Sequence, residues 1–234
     1  MASDTRTERE GEAEVALLER RPRSDGRGPE PAGAGAADAA GGAQVAGDGQ
    51  QAVEGGPDEL DPQAQARRAA ALAQVRKFGD PVLRARARPV ERFDGALRDE
   101  IRRMGELMVD AVGVGLAATQ IGILHRVLVY RVQQQSPVAA LVNPEIEWAG
   151  EELETLEEGC LSLPGVHVDV ERPVSVIVSA RDERGRPLRV EAAGLEARVI
   201  QHEIDHLDGV LVLDRIGRAQ RREAMRALRE ALGG

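Results

Sequence analysis

The 234-residue chain carries 31 basic and 40 acidic side chains, a net charge of −9, and one cysteine. That length allows one or two domains, and a lone cysteine excludes an internal disulfide and suits a reducing, cytoplasmic setting. The apolar stretch Val15-Ala16-Leu17-Leu18 is too short for a span or a signal core, so no membrane partner is expected.

Residues 1–60 hold thirteen acidic against six basic side chains, which leaves a net of only −2 for the rest of the chain and no reason to expect DNA as a partner. They lack Phe, Tyr, Trp and Ile and are rich in Ala, Gly, Pro and acid. Such a segment cannot bury enough apolar surface to offset its chain entropy. The expected division is a disordered extension over 1–65 and one compact domain over 66–234. The bases are almost all arginine, with Lys77 the single lysine, a bias attributed to genome composition.

A helical pattern over 63–77 stops at the turn Gly79-Asp80-Pro81. Over 95–112, Leu97, Ile101, Met104, Leu107, Met108 and Ala111 recur at helical spacing between charged residues, which predicts an amphipathic helix ended by Gly113 and Gly115. Short strands are predicted at 126–132, 140–143, 145–148, 166–170, 174–180 and 188–191. The turn 182–187 makes a hairpin of the last two. A helix over 195–207 closes at Asp208-Gly209, and a short strand at 210–213 leads to a last helix over 216–232. The fold class is therefore α+β: mixed, mostly antiparallel short strands packed around a central helix, with an N-terminal and a C-terminal helix.

The chemistry concentrates on that central helix. In His202-Glu203-Ile204-Asp205-His206 the two imidazoles are four residues apart, so they share a face and can hold one cation. Glu203 follows the first ligand and can serve a water without ligating, which makes metal-assisted hydrolysis the expected reaction. Flanking Val199, Ile200, Ile204 and Leu207 place the pair near the buried side. For a third ligand, Asp208, Asp214, Glu223 and Glu230 lie downstream. Cys160, in Glu158-Gly159-Cys160-Leu161-Ser162-Leu163-Pro164-Gly165, is the stronger candidate. Gly159 lets the backbone approach a ligand closely. Glu157 and Glu158 oppose a thiolate at Cys160 unless a cation holds it. A third element, Gly113-Val114-Gly115-Leu116-Ala117-Ala118-Thr119-Gln120, offers a small-residue surface for a substrate backbone, with Gln120 able to donate an amide hydrogen bond. It also reads as a plain helix-to-strand connection.

Taken in order, these three motifs resemble those of the peptide deformylase family. The turn Phe78-Gly79-Asp80-Pro81-Val82-Leu83-Arg84 resembles the start of its domain. The resemblance runs from about residue 75 to the C-terminus and leaves out the long N-terminal extension. It implies that Cys160, His202 and His206 bind one divalent metal, Fe(II) natively, with Zn(II), Ni(II) or Co(II) as substitutes. It further implies that Glu203 is the general base and then the acid. Gln120 and the backbone N–H of Leu161 then face the developing oxyanion. Val114 and Gly115 hold the peptide as an added strand. Arg172 pairs with Glu158 and braces the cysteine loop. His167 departs from the arginine that many bacterial members carry there, which bears on peptide-backbone affinity. The implied activity is removal of the formyl group from the N-terminal formyl-methionine of newly made polypeptides. Arg218, Arg222, Arg226 and Arg229 make a stripe on the last helix, either a solvated face or, by the resemblance, a docking face for the ribosome. The rival readings are a zinc endopeptidase built on the same helix motif and a non-catalytic module that keeps a structural metal.

Overall fold

The structure, a computed structural model, describes residues 61–231 and 233. The expectation for residues 1–60, and position 232 of the last helix, lie outside the described residues.

Helix α1 (Pro62–Leu72) starts where Asp61 accepts hydrogen bonds from the N–H groups of Gln63 and Ala64, with proline in the first turn. It is shorter than its sequence pattern. The N–H groups of Ala73, Gln74 and Val75 still bond back into the helix end, but Arg76 N–H reaches the Gln120 carbonyl at 2.7 Å and Phe78 N–H the Ser162 carbonyl at 2.9 Å. These bonds to two distant loops replace a continued helix. Helix α2 (Gly95–Asp110) is capped by Asp94 and buries Leu97, Ile101, Met104, Leu107 and Met108, the stripe expected from the spacing.

Strands β1 (Gly115–Ala117), β2 (Val127–Tyr130), β3 (Ala139–Ala149), β6 (Ser175–Arg181) and β7 (Pro187–Ala193) form one sheet in the order β1-β2-β3-β6-β7, every neighbouring pair antiparallel. Strands β4 (Leu153–Cys160) and β5 (Leu163–Pro173) form a separate antiparallel ribbon. The strands expected at 140–143 and 145–148 are one bent strand, β3. Its bend lies at Asn143, where φ is +54° and the side chain bonds both backbone groups of Val90. The strand expected at 210–213 is instead a single 3₁₀ turn over Val212–Asp214, because the Asp214 carboxylate takes the Leu211 N–H.

Helix α3 (Gly194–Leu207) is buried almost throughout. Its apolar residues Ala197, Ile200, Ile204 and Leu207 pack with Leu128, Tyr130, Leu141 and Val178 of the sheet. Val127, Val129 and Val142 instead pack with Met104 and Met108 of α2. Strand β2 is thus covered on both faces, which is why its sequence reads as an unbroken apolar run. Helix α4 (Arg218–Ala231) covers β5 through Ala224 and Leu228, against Val166, Val168 and Val170. Among the described residues no helix is long and apolar enough to cross a membrane.

Candidate metal centre and active site

The two histidines come from the last two turns of α3, and Cys160 from the end of β4. Gln120 sits in a buried 3₁₀ turn over Ala118–Ile121 that follows β1. One donor atom from each of Cys160, His202 and His206 lies within 4.8 Å of the others. The thiol sulfur is 3.2 Å from His206 Nε2, and the two rings meet edge-on with centroids 5.0 Å apart.

What orients His202 is a carboxylate. Glu158 Oε2 is 2.9 Å from His202 Nδ1. Burial alone raises the Glu158 pKa, but hydrogen bonds from His202 and Arg172 and their charges outweigh it and lower it to about 2. An ionised Glu158 accepts the Nδ1 proton, which leaves Nε2 as the ligand atom. This corrects the expectation that Glu158 opposes a thiolate, since its charge is taken up by Arg172, Arg198 and His202. Burial would raise the Cys160 thiol, yet the adjoining imidazoles hold it well below its ordinary value.

Glu203 is 4 % exposed and its Oε2 has no hydrogen-bond partner among the described residues. Burial raises its pKa against the opposing pull of both imidazoles, a shift suited to a group that takes and returns a proton. Its space is made by Gly115: a Cβ on that glycine would lie 2.4 Å from Glu203 Oε1. Gln120 Oε1 accepts from the Ala117 N–H at 2.8 Å. The amide nitrogen is thereby turned toward Ser162 Oγ at 3.3 Å and Cys160 Sγ at 3.8 Å. A sulfur and two imidazole nitrogens at this spacing fit a divalent cation with one position left for a non-protein group.

Leu161 follows the cysteine, with its carbonyl 3.1 Å from Lys77 Nζ and its side chain beside Gly113. Val114 is exposed and its carbonyl accepts from the Arg131 N–H at 2.8 Å. Gly159 pairs across the ribbon with His167, whose exposed ring is 3.4 Å from Glu157. Arg172 bonds Glu158 at 2.6 and 3.0 Å, as expected. The downstream acids are not brought to the cluster. Asp208 bonds Arg126 at 2.7 Å, Asp214 bonds Arg84 and Arg221, and Glu223 and Glu230 lie exposed on α4. Arg198 was missed. It too bonds Glu158, at 2.8 Å, and the available signal was an arginine one turn before His202 on the helix face that carries the histidine.

A family model described as polypeptide deformylase matches residues 72–222. The chain belongs to the polypeptide deformylase family. The peptide deformylase of Acidothermus cellulolyticus is 49% identical over 161 residues, covering 69% of this chain and 88% of that protein. That of Thermotoga neapolitana is 52% identical over 150 residues, covering 64% of this chain and 90% of that protein. Among solved structures, the peptide deformylase of Synechococcus elongatus in complex with actinonin is similar at 48% identity and a TM-score of 0.61. It covers 68% of this chain and 84% of that one. The Legionella pneumophila peptide deformylase follows at 40% identity and a TM-score of 0.64, covering 67% of this chain and 92% of that one. The chain is thus an enzyme of the deformylase kind, with the α+β fold of those structures, and the endopeptidase reading of its helix motif is not favoured.

Proposed function

We propose that this deformylase removes the formyl group from the N-terminal formyl-methionine of newly made polypeptides in the cytoplasm, through Cys160, His202, His206, Glu203, Gln120 and Leu161. The observation that carries this assignment of roles is the buried, unpartnered carboxylate oxygen of Glu203 beside a Cys–His–His donor set. Cys160, His202 and His206 hold one divalent ion. When bound, that ion supplies Lewis acidity and makes a water acidic enough to act near neutral pH. Glu203 accepts the proton of the water that adds to the formyl carbon. It then delivers that proton to the amine nitrogen as the C–N bond breaks, so formate and a free amino terminus result. The Gln120 amide and the Leu161 N–H stabilise the charge gathering on the formyl oxygen. Val114 and Gly115, with Gly159 and His167 on the ribbon, receive the peptide backbone as an added strand.

Fe(II) is the ion proposed for the cell, with Zn(II), Ni(II) or Co(II) as replacements. A thiolate and two imidazoles accommodate each of these, and metal analysis of anaerobically purified protein checks the choice. The ribosome is the proposed partner of α4.

The test is incubation of the purified protein with formyl-Met-Ala-Ser and, separately, with an unformylated peptide. Formate from the first and no internal cleavage of the second is expected. Glu203→Gln should retain the metal and lose at least about a hundredfold in formate release. Wild-type rates in that variant would remove Glu203 from the chemistry.

A further inference from the structure

Five charged side chains alternate in sign beneath the metal site: Arg198, Glu158, Arg172, Asp205 and Arg215. Arg172 Nη1 bonds Asp205 at 2.9 Å, and Arg215 Nε bonds the same carboxylate at 3.0 Å. Arg198, Glu158, Arg172 and Asp205 are all at least nine-tenths buried. Glu158 is the member that touches a metal ligand, through His202 Nδ1. Its two oxygens receive Arg172 Nε and Nη2 in a planar fork, and Oε1 receives Arg198 Nη1 at 2.8 Å as well.

The two arginines perform different tasks. Arg172 stands on β5 and fixes Glu158 within the ribbon. Arg198 stands on α3 one helical turn before His202, so one helix face delivers both a guanidinium and the imidazole to the same carboxylate. The remaining Arg198 contacts run to both ribbon strands: Nη1 to the Val170 carbonyl at 2.9 Å and Nη2 to the Glu154 carbonyl at 2.7 Å. With Arg172 alone, the carboxylate would be tied to α3 only indirectly, through Asp205 three residues beyond His202, and not to the turn that precedes the imidazole.

We propose that Arg198 is a positioning residue for the metal site: by locking Glu158 to α3 it fixes the tilt and tautomer of His202, so that Nε2 is held ready for the ion. The proposal rests on Cys160, His202 and His206 being the ligands. Partners of ligating imidazoles, when removed, typically weaken metal binding about tenfold to a hundredfold.

The test equilibrates the zinc-loaded full-length chain with graded amounts of a zinc chelator and measures the zinc retained. Arg198→Gln should lower zinc affinity at least about tenfold. A merely structural arginine predicts another pattern, earlier unfolding in denaturant with zinc affinity unchanged, and that result overturns the proposal. Arg198→Lys keeps the charge but reaches one acceptor at a time, so an intermediate loss is expected. If the glutamine variant does not fold, the lysine variant decides on the same two outcomes. Zinc retained equally by a Cys160→Ser protein would instead sink the ligand set, and the proposal with it.

Discussion

Gly115 and Glu203 occupy one volume, and neither residue can be altered independently of the other. A methyl group at Gly115 would sit 2.4 Å from the carboxylate oxygen and 2.9 Å from two carbons of the Glu203 side chain. The flexible partner must yield, and Glu203 is the group assigned to carry the proton. Gly115→Ala should therefore fold and bind metal normally while its kcat falls about a hundredfold, the usual cost of displacing a catalytic group by about 1 Å. Formate release at saturating peptide checks it, and an unchanged kcat would show that Glu203 has room to spare. The glycine pair stood out in the sequence as a surface for substrate. That its missing side chain makes room for the Glu203 carboxylate far along the chain was not legible, because only the approach of β1 to α3 brings them together.

At the scale of elements, the segment after α3 shows how the motif helix is anchored. Gly209 closes the helix with φ at +75°, and a Cβ there would lie 2.6 Å from the Arg84 carbonyl oxygen, so the turn needs glycine twice over. Asp214 then accepts from the Leu211 N–H and pairs with Arg84 and Arg221. Burial would raise the Asp214 carboxyl, but the Arg84 hydrogen bond, the Leu211 N–H and the arginine charges lower it. A carboxylate whose pKa is depressed on folding adds stability above its unfolded pKa of about 3.9, and that contribution is lost as pH falls through the folded value. Asp214→Asn should therefore be less stable at neutral pH by about 1 kcal/mol, allowing for solvent screening of a partly exposed pair. The difference should close below about pH 4, which denaturant unfolding across that range measures. A gap persisting at pH 2 would mean the carboxylate charge is not the cause.

Why some elements could be read in advance and others not follows from where their side chains go. Helix α2 buries one stripe and β2 is buried on both faces, so each leaves a clear apolar pattern. Strand β4 exposes most of Leu153–Cys160, and its sequence is acidic without alternation, so no strand pattern marks it. The 3₁₀ turn at Val212–Asp214 looked like a strand because its valine and leucines are buried, whereas a single carboxylate bond decides its geometry.

For the whole molecule, the metal site lies at a junction: the sulfur comes from the ribbon and both imidazoles from the helix under the main sheet. The ligand set was legible because the helix supplies two members at fixed spacing and the chain has one cysteine. The ion-pair line that joins ribbon to helix was not, since Arg198 shares no motif with the residues it meets. Packed on β5 of the ribbon, α4 presents Arg218, Arg222, Arg226 and Arg229, all exposed. If they contact ribosomal RNA, changing the four to glutamine should abolish salt-sensitive co-sedimentation with ribosomes. Equal binding by that variant would return the stripe to the role of a solvated face.

The split origin of the three donors also sets an order of events for a chain being born. The three donors are not assembled until the hairpin carrying Cys160 at its turn has docked on a helix made well after it. Competence therefore arrives late and all at once, and ion uptake can serve as a clock for the completion of tertiary structure.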